Sequence, residues 1–186
     1  MTVIDTIRAR RSIKKFSPTP VGRAQVETLL ELAALAPNNR MTQPWRFLVL
    51  GPDARAAYGT ALGIRKSRKI EDPAVAQATR DRTLADAVHA PLMIALVQSL
   101  HENPEIREED FAACWMGAQN ILLGAVELGL GTHLRSGAVF NDAPVKEAWG
   151  VAEGERVLGV ILLGVPEAVP DPKPRPTAAE RTTWLD

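Results

Sequence analysis

The sequence is poor in the residues that build disulfides and metal centres. Its 186 residues include one cysteine, Cys114, and three histidines, so it can form neither an intramolecular disulfide nor a cysteine metal cluster. His89, His101 and His133 are not spaced to share a metal ion, and we predict no metal site. No serine or cysteine stands in a nucleophile motif with a matching base, so Cys114, in an apolar stretch, is predicted to be inert packing.

The sequence also lacks net charge and a long apolar stretch near its amino terminus. Lysine and arginine total 22, as do aspartate and glutamate, so any anion site must be local and neither nucleic acid nor a membrane is an expected partner. Charges interrupt the apolar positions of the first twenty residues, which argues against a signal peptide. With 46% hydrophobic residues in 186, the chain can close one core, so we expect one domain over residues 1–186. The single cysteine fits a reducing compartment, and we expect the cytoplasm.

Hydrophobic periodicity predicts both helices and strands. Apolar residues recur at helical spacing over residues 2–11 and 23–36, and Pro37 ends the second pattern. Residues 111–130 are apolar on nearly every face, so this helix must be buried, and a second copy of the chain is expected to cover part of it. Short apolar runs rich in β-branched residues predict three strands, over residues 46–50, 92–97 and 157–163.

Two segments have no single interpretation. Residues 53–89 are predicted to be helical with interruptions at Gly63 and at Asp72-Pro73, and their dense positive charge suits either a solvated surface or a closing lid. Residues 165–186 contain five prolines, which favour an extended carboxy-terminal arm over a helix. Such an arm can embrace a partner subunit or remain without fixed structure.

A basic cluster follows the first predicted helix. Arg10, Arg11, Ser12 and Lys14 combine cations with a hydroxyl between apolar residues. Guanidinium groups bind phosphate oxygens in bidentate fashion and the hydroxyl supplies a further donor, so the segment suits a phosphate or a flavin. The alternative is an ordinary solvated helix end, where the helix dipole also favours cations.

Two further segments are candidates to border a cleft. Asn39 and Gln43, in a turn between a helix and a strand, each offer a donor and an acceptor, as the edge of a pyrimidine-like ring requires. Such a turn can equally bond to its own backbone, and Trp45, which leads into the strand, is expected in the core. Within residues 129–137, glycines permit close approach of a ligand to the backbone, and Arg135 adds a cation.

In their order and spacing these segments resemble the nitroreductase family, and in particular its small single-domain branch. The shared motifs are Arg-Arg-Ser at 10–12, Ala-Pro at 36–37, Gln-Pro-Trp at 43–45, Leu-Arg-Ser-Gly-Ala at 134–138 and Leu-Gly-Val-Pro at 163–166, which together span most of the chain. The resemblance implies an α+β sandwich with a central, mostly antiparallel sheet flanked by helices. It also implies an intertwined homodimer with FMN sites at the subunit interface.

The resemblance further implies which residues contact the flavin. Those expected from one subunit are Arg10, Arg11, Ser12, Lys14, Leu35, Asn39 and Gln43. The other subunit is expected to contribute His133, Leu134, Arg135 and Ser136, and the carboxy-terminal arm adds Lys173 and Arg175 near a phosphate. Asn38 and Met41 depart from the serine and asparagine of many relatives, so substrate preference does not carry over.

The implied function is that of an FMN-dependent oxidoreductase that takes hydride from NAD(P)H and reduces a small electrophilic acceptor, such as a nitroaromatic or a quinone, in ping-pong turnover. Lys14 is the candidate catalytic residue, because a cation near the N1–C2 edge of the flavin stabilises the reduced, anionic cofactor. Two alternatives remain open. One is an enzyme of the same fold with different flavin chemistry (desaturation, dehalogenation or flavin breakdown), and the other is a non-catalytic flavin-binding module.

Overall fold

A computed structural model of the chain describes residues 1–89 and 91–185. In this part of the chain the helices are α1 (Val3–Ala9), α2 (Arg23–Ala34), α3 (Pro52–Ser67), α4 (Pro73–Val88), α5 (Pro104–Glu127) and α6 (Ala143–Ala148). The strands are β1 (Trp45–Val49), β2 (Leu92–Ser99), β3 (Gly131–Arg135) and β4 (Glu155–Gly164). Short 3-10 turns cover Asn39–Met41, Ala138–Asn141 and Ala179–Arg181.

The four strands form one antiparallel sheet in the order β1-β2-β4-β3, which confirms the expected α+β class. The central strands β2 and β4 are buried along most of their length, and strands covered on both faces need no polar alternation. This explains why their sequences were recognisable as continuous apolar runs. The sequence did not predict β3, because an edge strand that contains glycine, threonine, histidine and arginine has no such run.

The amino-terminal segment continues the sheet beyond β3. Ser12 forms a parallel bridge with Thr132, and the N–H of Ile13 donates to the carbonyl oxygen of Thr132 at 2.8 Å. Further along, Phe16 forms an antiparallel bridge with Pro166. These bonds place the basic cluster at the β3 edge of the sheet, next to the start of the carboxy-terminal arm.

Helices cover both faces of the sheet. On one face, α2 and α5 bury a core that includes Leu29, Ile94 and Ile121. In the single chain α5 is buried along one side, through residues such as Cys114 and Ile121, while Phe111 and Met116 are 37% and 41% exposed. The helix also begins earlier than expected, at Pro104. On the other face, α3 and α6 complete a second core around the ring of Tyr58, whose centroid lies 5.0 Å from that of Phe140.

The predicted helical region between β1 and β2 forms the hairpin of α3 and α4. The predicted interruption at Gly63 is wrong, because α3 continues through it to Ser67. A Cβ atom at Gly63 would lie 3.1 Å from the Cα of Arg80 in α4, so this glycine permits a close helix crossing and does not end a helix. The interruption at Asp72 is confirmed: its side chain caps α4 by accepting a hydrogen bond from the N–H of Ala74 at 2.8 Å.

The short helix α1 turns its apolar side toward solvent. Val3, Ile4 and Ile7 are 73%, 60% and 54% exposed, while Thr6 is buried. We call these three side chains the α1 apolar face. Contiguous exposed apolar groups of this kind mark surfaces that associate with a partner. Of the helices in the described ranges, none has the length and apolarity that a bilayer span requires.

Candidate functional site

A cavity of about 490 Å³ lies between the amino-terminal segment and the carboxy-terminal arm. Basic side chains from both ends of the chain border it. We call it the cation cavity, and its lining residues are Arg10, Arg11, Ser12, Lys14, Lys15, Ala168, Pro170, Asp171, Lys173 and Arg175. Folding therefore brings the carboxy-terminal basic pair next to the cluster that follows α1.

Asp171 is the one acidic residue in this lining, and none of the cavity's cations forms an ion pair among the described residues. Among residues 1–89 and 91–185, no carboxylate lies within ion-pair distance of Arg10, Lys14 or Arg175. Arg11 donates from Nη1 to two backbone carbonyl groups, while its buried Nε has no hydrogen-bond partner in the same ranges. Six basic side chains against one carboxylate leave an excess of positive charge in the lining. Because such an excess favours the entry of an anion, this lining fits a phosphate group.

Lys14 also borders a second cavity, of about 360 Å³, on the side of the sheet that α3 and α4 cover. Arg135, at the end of β3, and Lys66, in α3, line it as well. The pKa of the neighbouring His133 lies below its ordinary value, chiefly because of burial and then because of the positive charges of Arg135 and Lys14. The positive charges of Lys14 and Arg135 therefore reach the ring of His133.

The residues around Arg135 are placed by the edge strand. Leu134 packs into the core on the α5 face, whereas Ser136 is exposed just after the strand. The sequence interpretation placed Arg135 and Lys14 on different subunits, but in this structure they line one cavity within a single chain. The parallel bridge between Ser12 and Thr132 explains this proximity, because it aligns the basic cluster with β3.

The segment over residues 38–43 has an unusual backbone. Arg40, Met41 and Gln43 have positive φ angles of 61°, 52° and 46°, a region that side chains with a Cβ atom rarely adopt. Each residue held in this way costs on the order of 1–3 kcal/mol and persists only where its surroundings hold it, commonly at functional sites. We call this segment the strained turn.

The side-chain amides of the strained turn are only partly hydrogen-bonded. The Asn39 side chain donates from Nδ2 to Glu109 in α5 at 2.9 Å, and its amide oxygen accepts no hydrogen bond from the described residues. The side-chain amide of Gln43 makes no hydrogen bond within the described ranges, although its backbone N–H donates to Asn38. These leftover groups are the donors and acceptors that the edge of a heterocycle requires.

In one chain the strained turn and the cation cavity lie far apart. The turn leads into β1, at one edge of the sheet, whereas Lys14 belongs to the segment outside β3, at the other edge. Four strand spacings of about 4.8 Å give a separation of roughly 19 Å. Leu35 joins neither region: it is 77% exposed and borders an apolar groove beside Val3 and Leu123.

The comparisons with known proteins agree with this geometry. The model of the protein family described as "Nitroreductase family" matches residues 7–165 of this chain. The chain belongs to the nitroreductase family. One relative is YfhC from Bacillus subtilis (strain 168), which is provisionally named as an NAD(P)H nitroreductase. It is 34% identical to this chain, and the match covers 97% of this chain and 93% of YfhC.

Solved structures share the fold of this family member. A nitroreductase-like family protein from Bacillus cereus superposes with a TM-score of 0.86 at 24% identity, and the match covers 100% of this chain and 97% of the other. The FMN and NADPH-dependent nitroreductase NfnB from Sphigopyxis sp. strain HMH superposes with a TM-score of 0.79 at 21% identity, over 100% of both chains. Below 25% identity these similarities establish the fold alone.

Sequence reasoning missed three side chains of this nitroreductase-family site. Lys66 was hidden in the charged stretch of α3, and only the packing of α3 over the sheet brings it to the second cavity. Glu109 and Asp110 immediately precede the apolar stretch that was recognised, and acidic residues at the edge of a buried helix were a usable signal. Within the described ranges, no group of three or more histidine, cysteine, aspartate or glutamate side chains is arranged to hold a metal ion.

Proposed function

We propose that this protein is an FMN-dependent oxidoreductase that takes hydride from NAD(P)H and reduces small electrophilic acceptors such as nitroaromatics or quinones. The observation that carries the proposal is the cation cavity, where cations from both ends of the chain converge beside Lys14 and form no ion pair with any described residue. The names of YfhC and NfnB, which refer to NAD(P)H and to FMN with NADPH, support the nicotinamide donor and the FMN cofactor.

The phosphate of FMN is assigned to the cation cavity. Arg10, Arg11 and Arg175 supply charged donors and Ser12 supplies a hydroxyl. Charge-assisted hydrogen bonds of this type contribute roughly 1.5–3 kcal/mol each, so two or three of them are sufficient to anchor a nucleotide. The buried Nε of Arg11, which lacks a partner among the described residues, is a further donor that a phosphate oxygen can satisfy.

The isoalloxazine ring is assigned to the space beside Lys14 and Arg135, with His133, Leu134 and Ser136 on the same protomer. When bound, FMN supplies the centre that accepts and returns hydride. The ammonium group of Lys14 favours negative charge at the N1–C2 edge of the ring, and Arg135 adds to this positive field. Solvent can supply the protons that the acceptor takes up, so the chain needs no dedicated acid.

A second copy of the chain is needed to complete the site. Asn39 and Gln43 lie at the opposite edge of the sheet from Lys14, so we assign the amides beside a given flavin to the partner subunit, together with Leu35. The α1 apolar face and the exposed Leu35 provide surface for such a dimer. This assignment moves Arg135 to the same protomer as Lys14.

The proposal is tested with the purified protein. We expect it to be a yellow dimer with about one FMN per chain. Anaerobic addition of NADH or NADPH is expected to bleach the flavin, and a nitroaromatic or quinone is expected to restore the colour. A yellow protein that neither nucleotide bleaches is a flavin-binding module without this activity, and a colourless protein that ignores added FMN contradicts the proposal.

A further inference from the structure

A chain of hydrogen bonds holds the strained turn and ends at a buried carboxylate. The backbone N–H of Gln43 donates to the side-chain oxygen of Asn38 at 2.6 Å, and the side-chain N–H of Asn38 donates to the hydroxyl oxygen of Thr42 at 3.0 Å. The Thr42 hydroxyl in turn donates to Oδ1 of Asp110 in α5. Each donor in this series is bonded to the next group on the way to Asp110, so the negative charge at the end polarises three successive bonds.

The burial of Asp110 is not explained by stability alone. Asp110 is only 2% exposed. Among the described residues, no cation lies within ion-pair distance of its carboxylate. A buried carboxylate without a paired cation opposes folding. Its one side-chain hydrogen-bond partner in this part of the chain is Thr42, so the contact that it does make is directed at the strained turn.

The conformation of the turn depends on these bonds. Arg40, Met41 and Gln43 would adopt negative φ angles in an unrestrained chain, because the left-handed region is sterically unfavourable for residues with a Cβ atom. Relaxation of the turn would redirect the Gln43 side chain, since the side chain follows the backbone at its own Cα. Glu109 holds only the outer part of the turn, through Asn39 and Arg40.

We propose that Asp110, acting through Thr42 and Asn38, is a positioning residue that aims the Gln43 amide at the flavin of the partner subunit. This inference rests on the proposed function. The bonds that end at the buried Asp110 stabilise a backbone conformation that is unfavourable by itself. The turn is therefore preorganised before the cofactor binds.

The test removes the Thr42 hydroxyl from the series of hydrogen bonds without changing the shape of the side chain. Thr42→Val is isosteric and cannot relay the bond, Thr42→Ser restores the hydroxyl, and Asp110→Asn keeps the shape but removes the charge. Thr79→Val is the matched control, because the Thr79 hydroxyl donates to a backbone carbonyl on the exposed side of α4, away from the site. FMN affinity and the visible spectrum of bound flavin are measured for each variant.

A readout without flavin accompanies these titrations. The Arg40 side chain is 53% exposed, so trypsin cleavage after Arg40 in the FMN-free protein reports how firmly the turn is held. We expect Thr42→Val and Asp110→Asn to bind FMN about tenfold more weakly, to shift the flavin spectrum and to be cleaved faster at Arg40. Thr42→Ser and Thr79→Val are expected to stay near wild type, and Asp110→Asn is expected to keep its thermal stability.

The outcomes separate the two proposals. If wild type binds FMN and Thr42→Val binds it equally well, the positioning role is refuted while the proposed function stands, whether or not cleavage at Arg40 accelerates. If wild type itself does not bind FMN, the proposed function fails and the positioning role fails with it. Weaker binding that Thr42→Ser does not rescue also refutes the inference, because the effect then does not depend on the hydroxyl.

Discussion

The cation cavity and the strained turn prepare for a ligand in opposite ways. The cavity collects positive charges such as Arg10 and Arg175 on backbone outside the helices and strands and leaves them without ion-pair partners in the described chain. The turn instead places three residues in the left-handed region and ties them to α5 through Glu109 and Asp110. In the proposed function, the first region attracts the flavin by charge at long range, and the second orients it by fixed geometry at short range.

This difference explains why the two regions tolerate different changes. Electrostatic attraction falls off gradually with distance and survives small movements of a lysine or arginine side chain. Hydrogen bonds weaken steeply with misalignment, so the turn must be rigid before the ligand binds. A protein that joins both regions at a subunit interface makes orientation conditional on dimerisation.

The largest effect is expected from separating the two regions by breaking the proposed dimer. Ile4→Asp combined with Ile7→Asp places charges on the α1 apolar face and should give a monomer that has lost FMN binding, because in the proposed site each chain alone holds only part of the lining. Light scattering and FMN titration measure both properties. Val75→Asp is the control, since Val75 is an exposed apolar residue on α4. A monomer with full FMN affinity would show that one chain is sufficient.

The next largest effect is expected in the cation cavity. Arg10→Ala combined with Arg175→Ala removes two charged donors and should weaken FMN binding about 100-fold or more, since each charge-assisted bond accounts for roughly tenfold or more in affinity. Riboflavin, which has no phosphate, should bind both proteins equally. Arg23→Ala, which removes a solvent-exposed ion pair with Glu27, is the control. Equal losses for FMN and riboflavin would place the phosphate elsewhere.

A smaller effect is expected for Lys14, which lies between the cation cavity and the second cavity. Lys14→Ala should retain most FMN affinity but slow flavin reduction by NAD(P)H by about tenfold or more, because the positive field at the ring is reduced. Stopped-flow absorbance gives the rate. Lys14→Arg keeps the charge and should recover part of it. Wild-type reduction rates in Lys14→Ala would remove this residue from the catalytic role.

The smallest effect is expected in the pH dependence of stability. The pKa of His133 is lowered from its ordinary 6.5 in the folded chain, so the unfolded chain binds protons more readily just below that pH. The contribution of neutral His133 to stability is complete above pH 6.5 and is lost as the pH falls toward the folded pKa. Thermal melting of wild type should therefore decline more steeply below pH 6.5 than that of His133→Gln. Parallel profiles would contradict the positive field inferred here.

The parts of the fold that the sequence predicted are those with a local or periodic cause. The central strands were recognisable because burial on both faces demands continuous apolar runs, and α2 because its apolar stripe ends before Pro37. Gly63 was wrongly predicted to interrupt a helix, because a glycine is required there by the close approach of α4 and not by the conformation of its own backbone. The edge strand β3 had no periodic signal in its own residues. It is held on one side by the amino-terminal segment, which is distant along the sequence.

For the candidate site, the groups present could be found in the amino-acid sequence: a basic cluster after α1, a basic pair in the carboxy-terminal arm, and an amide-bearing turn before β1. Three contacts between them depend on the folded chain: the two basic groups share a cavity, Arg135 lies beside the same cavity as Lys14, and Asp110 bonds to Thr42. Residue chemistry is a local property that sequence displays, whereas proximity is set by strand pairing and helix packing between segments that are distant along the chain.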